Sequence, residues 1–326
     1  MHIKKFFLSL VVLGISLGLS LLAAEWFFRP GHTAQRARAL DIFVPDAELG
    51  HAGKPKARGV EVFSYPDQSR REAHYSLDAE GFRVVPGARP SGKCLLLMGD
   101  SISFGLGVED EETAAAILQR KLLSWRVVNL SLIGWGAHQA LRILESHREA
   151  PELQGCVQLR SYFFSQIDHV RRAAGRAIYD LAGPKYILRD GKLSHAGTFH
   201  SLRMNYLINA YLNRSEFAKR LLLSALGSNE LREGEMERYL AILSEMNRVL
   251  ASRYQSPLSV IYFTFGHEPN EHDRALRGAG IRTIFFDEKA GARPVFLKRF
   301  YLPDECHPSA EGHERISDLR AGSREF

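Results

Sequence analysis

From Lys93 onward the chain alternates short apolar runs with segments of helical period, and no other feature narrows the fold as far. Five runs read as buried strands, at residues 94–98, 126–130, 156–164, 258–265 and 282–286. They are rich in Val, Ile, Leu and Phe and bounded by turn residues, as expected of parallel strands covered on both faces. Between them, residues 111–123 set Ala114, Ile117, Leu118 and Leu122 on one stripe, and residues 137–146 do the same with Ala140, Leu141 and Leu144. Strands alternating with helices need right-handed crossovers, so a doubly wound α/β domain with a parallel sheet is expected. A long insertion separates the third and fourth strands. It opens with a hairpin signal over 186–193, turning at Asp190-Gly191, and continues with helical stretches at 202–223 and 231–253.

Residues 29–90 are rich in Arg, Gly, Pro and Asp, with short alternating stretches such as 59–63. They read as a linker plus a small β-rich extension laid on the main domain. Ahead of them, residues 6–24 carry no charge and follow Lys4 and Lys5. A helix of about 20 residues spans the ~30 Å hydrocarbon core of a bilayer. A cleavage site is poor here, because Leu21 or Leu22 would stand where a small residue is required. Trp26, Phe27 and Phe28 follow, where an aromatic belt would meet the far interface. The expectation is an uncleaved single-pass anchor over 1–28, in preference to a removed signal, with the rest exported. Gly14-Ile15-Ser16-Leu17-Gly18 matches a nucleophile elbow by chance, since no strand, turn and base surround it.

The remaining composition excludes several classes. The net charge of +6 comes from 43 Lys and Arg against 37 Asp and Glu, scattered without interleaved aromatics, so no nucleic-acid groove is expected. Cys94, Cys156 and Cys306 form no C-x-x-C pair; one disulfide is possible, with one thiol left over. His267, Glu268 and His272 share a loop, but their spacing fits no zinc motif, and a solvated loop is expected.

In an open α/β sheet, ligands bind beyond the carboxyl ends of the strands. After the first strand comes Gly99-Asp100-Ser101, which places Ser101 at a strand-to-helix junction with free backbone N–H groups. After the second comes Asn129 through Gly136, where Gly134 can bring a bare N–H close to a reacting oxygen. After the last comes Asp304-Glu305-Cys306-His307-Pro308, with Pro308 suited to a first helical turn. Asp304 can then fix the tautomer of His307 while His307 takes the proton of Ser101.

These three blocks, in this order, resemble the SGNH, or GDSL, hydrolase superfamily. The segment Gly134-Trp135-Gly136-Ala137-His138-Gln139 and the upstream Gly81-Phe82-Arg83 add to the likeness, which covers roughly residues 74–319. It implies a three-layer α/β/α domain with a five-stranded parallel sheet, flavodoxin-like in order, over 91–319. It implies Ser101 as nucleophile, His307 as general base and then acid, and Asp304 as its orienting partner. The N–H groups of Ser101 and Gly134 would be oxyanion donors. Members are esterases, lipases, thioesterases and carbohydrate deacetylases, and some are acetyltransferases; no metal or organic cofactor is implied.

One position departs from the pattern. The family's third block supplies an asparagine as a further oxyanion donor, and Ile167 stands there. Losing one such donor costs on the order of 10²–10³ in turnover. Gln166 or His169 is the candidate substitute, although His169 reads first as polar lining of the site mouth. Trp135 reads as packing rather than as a sugar platform, and Cys306 as a packed thiol. The function expected is a periplasm-facing serine esterase, anchored in a bacterial inner membrane, that removes short acyl groups from envelope glycans. An O-acetyltransferase acting on an exopolysaccharide and a decayed binding module are the alternatives. The insertion is placed at about 183–230 and a tail at 320–326.

Overall fold

The computed structural model describes residues 2–27, 35–64, 70–177, 182–204, 231–265, 271–286, 298–304 and 306–321, with isolated positions 180, 207, 208, 215, 217, 218 and 221. The linker residues 29–34, the loop residues His267 and Glu268, most of the helix expected over 202–223 and the end of the tail lie outside them.

Helix α1 (His2–Phe27) contains the apolar amino-terminal segment. Val12, Leu13, Ile15, Leu17, Leu19, Leu22, Trp26 and Phe27 are all exposed on it. Among the described residues, no helix is long and apolar enough to cross a membrane, so the expected span is not found in this structure.

The extension holds five strands: β1 (Gln35–Ala39), β2 (Phe43–Asp46), β3 (Gly50–Gly53), β4 (Arg58–Ser64) and β5 (Arg70–Ser76). β1, β4 and β5 form an antiparallel sheet and β2 pairs with β3. Ile42, Leu49, Phe63, Ala73, Tyr75 and Phe82 are buried in the same apolar cluster as Leu96 and Met98 of the main sheet. The extension therefore shares the domain's core rather than building one of its own.

The main sheet contains β6 (Lys93–Gly99), β7 (Arg126–Ser131), β8 (Gln158–Gln166), β11 (Leu258–Phe263) and β12 (Arg282–Phe285), all parallel, in the order β12-β11-β8-β6-β7. The chain leaves β6 toward one edge and returns across it toward the other, so the topological switch point lies between β6 and β8. Alternation along β6 sends Leu96 and Met98 into one core and Leu95 and Leu97 into the other. Helices α4 (Ala137–Glu145), α5 (Asp168–Ala173), α6 (Glu235–Tyr254) and α7 (Glu271–Gly278) lie on the first face, and α3 (Ala114–Lys121) and α8 (Ala310–Ala321) cover the second. This is a three-layer α/β/α arrangement, with the expected five-stranded parallel sheet.

β9 (Pro184–Arg189) and β10 (Lys192–Thr198) form the hairpin read from the sequence. Asp190 and Gly191 both take positive φ, 50° and 73°, as a tight two-residue turn requires. Helix α6 starts at Glu235 rather than at 231, because Gly234 in the left-handed region breaks the backbone there.

Candidate active site

The nucleophile turn is built from the end of β6. Gly99 has φ +153°, and a Cβ there would sit 2.4 Å from Ser103 Oγ and 3.0 Å from the Phe164 carbonyl oxygen. Only glycine lets the chain turn so close to β8. Asp100 caps the following helix, its Oδ1 accepting the Ile102 N–H at 2.9 Å. That helix, α2 (Ser101–Phe104), is one turn long and closes on Gly105 in the left-handed region. Asn129 Nδ2 donates to the Ser103 carbonyl at 2.9 Å, tying the turn to β7.

The carboxyl-terminal loop brings the base to the nucleophile. His307 Nε2 lies 2.9 Å from Ser101 Oγ, and His307 Nδ1 lies 2.7 Å from Asp304 Oδ2. Asp304 Oδ1 also accepts the backbone N–H groups of Cys306 and His307, each at 3.0 Å. Burial alone would raise the Asp304 carboxyl; its bond to His307, the charge there and the two N–H groups outweigh this and hold it at about 2. An anionic Asp304 keeps the imidazole proton on Nδ1, which leaves Nε2 to accept the Ser101 hydroxyl proton. Pro308 does not open a helix as expected. It bridges to Tyr301, and α8 begins at Ala310, where Ser309 Oγ accepts the Gly312 N–H.

Beside this row stands the loop after β7. Gly134 has φ +86° and is partly exposed. The loop is pinned from three sides. Trp135 is buried and its Nε1 donates to the His51 carbonyl at 3.1 Å, while His51 Nε2 lies 2.9 Å from the Ile133 carbonyl. Gln139 Oε1 accepts the Gly136 N–H at 2.8 Å, and Gln139 Nε2 donates to Asp180 Oδ1 at 2.7 Å. Arg172 Nη1 donates to the Trp135 carbonyl. Trp135 is thus a packing residue.

The loop after β8 differs from its sequence reading. Ile167 packs partly buried on the apolar core, so this position sends an aliphatic group inward where the family pattern has a donor. His169 is fully buried, not at the site mouth. Its Nε2 lies 2.9 Å from Asp100 Oδ2, and burial holds it below the ordinary imidazole value, so it donates as a neutral ring. Gln166 Nε2 donates to the same oxygen at 2.6 Å, and Arg172 Nη1 stands 3.3 Å from it. Burial opposes ionisation of Asp100, but His169, Arg172 and the Ile102 N–H hold its carboxyl far below the usual range. Of the two substitutes named above, only Gln166 is partly exposed and keeps a second amide hydrogen.

Asp100, Arg172, Gln139 and Asp180 therefore brace the site without having been singled out by the sequence. Asp100 lies inside the serine motif and Gln139 ends the Gly134–Gln139 segment; Arg172 and Asp180 carry no spacing signal. Cys94 and Cys156 form a disulfide with Cα atoms 5.6 Å apart, and Cys306, outside that bridge, is exposed rather than packed. Among the described residues, one set of carboxylates, Asp78, Glu80 and Glu152, has the closeness needed to hold a metal ion. It contains none of Ser101, His307 and Asp304.

No protein-family model matches the chain, and no curated protein matches it. Among the solved structures to which the chain is similar are an esterase, a lipase and a lipolytic G-D-S-L protein. The esterase EstA of a Pseudoalteromonas species, solved after inhibition by monoethylphosphonate, is 14% identical, with 71% of this chain and 96% of that one covered and a TM-score of 0.37. The lipase Lip_vut3 from a goat rumen metagenome is 13% identical, with 71% and 97% covered and a TM-score of 0.40. A lipolytic G-D-S-L protein of Veillonella parvula is 12% identical, with 71% and 99% covered and a TM-score of 0.36. Likeness at this level says nothing of substrate, and the chemistry rests on the site's own geometry.

Proposed function

We propose that the chain is an SGNH-type serine esterase that removes short acyl groups, acetyl above all, through an acyl-enzyme. The observation that carries this reading is the unbroken row Ser101 Oγ, His307 Nε2, His307 Nδ1, Asp304 Oδ2, with links of 2.9 and 2.7 Å. As Ser101 Oγ attacks the ester carbonyl, His307 takes its proton and Asp304 stabilises the imidazolium. The N–H groups of Ser101 and Gly134 receive the oxyanion, with the second amide hydrogen of Gln166 as the third donor. His307 then protonates the leaving alcohol, and a water activated by the same ring releases the acid.

Two further features support a location outside the cytoplasm. The Cys94–Cys156 disulfide belongs to an oxidising environment, outside the bacterial cytoplasm. The exposed apolar side chains of α1 favour retention in the inner membrane, with the esterase domain on the periplasmic side. Envelope glycans carrying O-acetyl groups are the esters within reach of a domain held there.

The test is to treat the full chain with a fluorophosphonate and locate the adduct by peptide mass spectrometry, beside Ser101→Ala and His307→Ala. An adduct on Ser101 that needs His307, with ester turnover abolished by Ser101→Ala, is expected. A wild-type chain that neither labels nor turns over acyl esters sinks the reading. Adding a sugar acceptor separates hydrolysis from transfer. Intact mass of the membrane-extracted protein checks the anchor; a mature chain starting near Glu25 removes it.

A further inference from the structure

Arg83 is a large charged side chain with 1% of its surface exposed, and it comes from the extension rather than from the sheet domain. A buried guanidinium is tolerated only when its donors are bonded, and here all five N–H groups are. Nε donates to Asp110 Oδ1 at 2.8 Å, and Nη1 donates to the carbonyls of Phe104 at 2.9 Å and Gly105 at 2.6 Å. Nη2 donates to the carbonyls of Val108 at 2.8 Å and His74 at 3.2 Å. The rings of Tyr75 and Phe104 lie 4.6 and 4.8 Å from its central carbon. Gly81, two residues earlier, brings the chain against Gly53 so closely that a Cβ would lie 2.2 Å from the Gly53 carbonyl oxygen.

What Arg83 holds is the far end of the nucleophile turn. Phe104 closes α2 and Gly105 caps it, and α2 is one turn long with Ser101 as its first residue. The Ser101 carbonyl in turn accepts the N–H groups of Gly105 at 3.1 Å and Leu106 at 2.9 Å. In so short a helix the end cannot shift without moving the start. The rest of the segment is held from the same side: Arg71 Nε donates to the Gly107 carbonyl at 2.8 Å, and the Gly107 N–H donates to Tyr75 Oη at 3.0 Å.

We infer that Arg83 is a positioning residue for Ser101, and that through it the extension sets the alignment of the nucleophile with His307. The inference rests on the serine-esterase reading for its kinetic consequence, but not for its structural one. Misplacing a reacting atom by about 1 Å costs on the order of 10²-fold in rate. Lysine keeps the charge but offers three donors from one nitrogen, so it cannot reach acceptors spread around a planar fork.

The experiment compares Arg83→Lys and Asp110→Asn with the wild-type full chain, by steady-state kinetics on an aryl acetate and by hydrogen exchange. Arg83→Lys is expected to lower kcat by roughly 10–100-fold with KM within about threefold. The amides of Gly105 and Leu106 exchange faster, while those of β6 and β8 keep their protection. Asp110→Asn, which disturbs one of the five bonds, gives a smaller change in the same direction. The inference is overturned if Arg83→Lys leaves kcat and the exchange of Gly105 and Leu106 unchanged, or if protection falls equally throughout the sheet. If the wild-type chain hydrolyses no ester, the proposed function fails, and the exchange result still decides whether Arg83 holds this turn.

Discussion

Replacing Asp304 by asparagine separates the orienting role of its charge from its shape. Asp304 Oδ1 accepts two backbone N–H groups and Oδ2 accepts His307 Nδ1–H. The two backbone donors cannot change their protonation, whereas the imidazole can. The asparagine oxygen therefore stays on the backbone, and its amide turns toward His307 Nδ1. That nitrogen must then accept, the ring proton moves to Nε2, and Nε2 faces Ser101 with a proton it cannot exchange for another. In a serine protease the equivalent exchange costs about 10⁴ in kcat. A loss of 10³–10⁴ is expected here, about 4–5.5 kcal/mol of transition-state stabilisation. Stability offers a second, independent readout. The carboxyl is held at about 2 against an ordinary 3.8, so its contribution is complete above pH 3.8 and is lost as pH falls through about 2. At neutral pH this amounts to roughly 2 kcal/mol, which Asp304→Asn forfeits. Urea unfolding of both proteins from pH 7 down to pH 2 should show a gap that closes in acid. A variant within tenfold of wild-type kcat, or a gap that stays constant with pH, would refute the reasoning.

Four further outcomes are expected. Cys94→Ala with Cys156→Ala, or reduction, opens a link spanning 62 residues and lowers the urea-derived stability by up to about 4 kcal/mol, while fluorophosphonate labelling of Ser101 persists. His313 is buried, and its Nδ1 accepts the Ala114 N–H at 3.2 Å; burial, with Arg83 and His307 nearby, pushes its value down to about 3. The unfolded chain then binds one more proton than the folded one between about pH 6.5 and 3, so stability falls as pH falls, by at most about 1.4 kcal/mol per unit. His313→Asn should flatten that slope in denaturation curves at pH 4, 5 and 7. Ile167→Asn points its amide into apolar packing, costs about 1–3 kcal/mol in stability and gains no turnover. A rise in kcat would show that this loop can present a donor after all. Gln166→Ala lowers kcat on the order of 10²-fold if its amide meets the oxyanion, and unchanged kcat would leave the hole with two donors.

The sheet was legible because short runs rich in Val, Ile, Leu and Phe alternate with segments of helical period, and the predicted runs overlap β6, β7, β8, β11 and β12. The row Ser101, His307 and Asp304 was legible for a different reason: although Ser101 and His307 are 206 residues apart, each belongs to a motif block, and the order of the blocks is what resembles a known family. The braces were not, because no motif joins their partners. Asp100 and His169 are 69 residues apart, Gln139 and Asp180 are 41 apart, and nothing in either neighbourhood names the other. Ile167 marked the missing donor, but the sequence gives no sign that the loop turns that side chain inward. Arg83 is the sharpest case. Hydropathy places an arginine at the surface, and only the shared core of the extension, with Phe82 and Tyr75 buried beside it, reverses that expectation. A charge carried so deep costs stability unless its geometry is complete. Its completeness, five donors on five acceptors behind a one-turn helix, makes the extension part of the site's architecture rather than a covering laid over it.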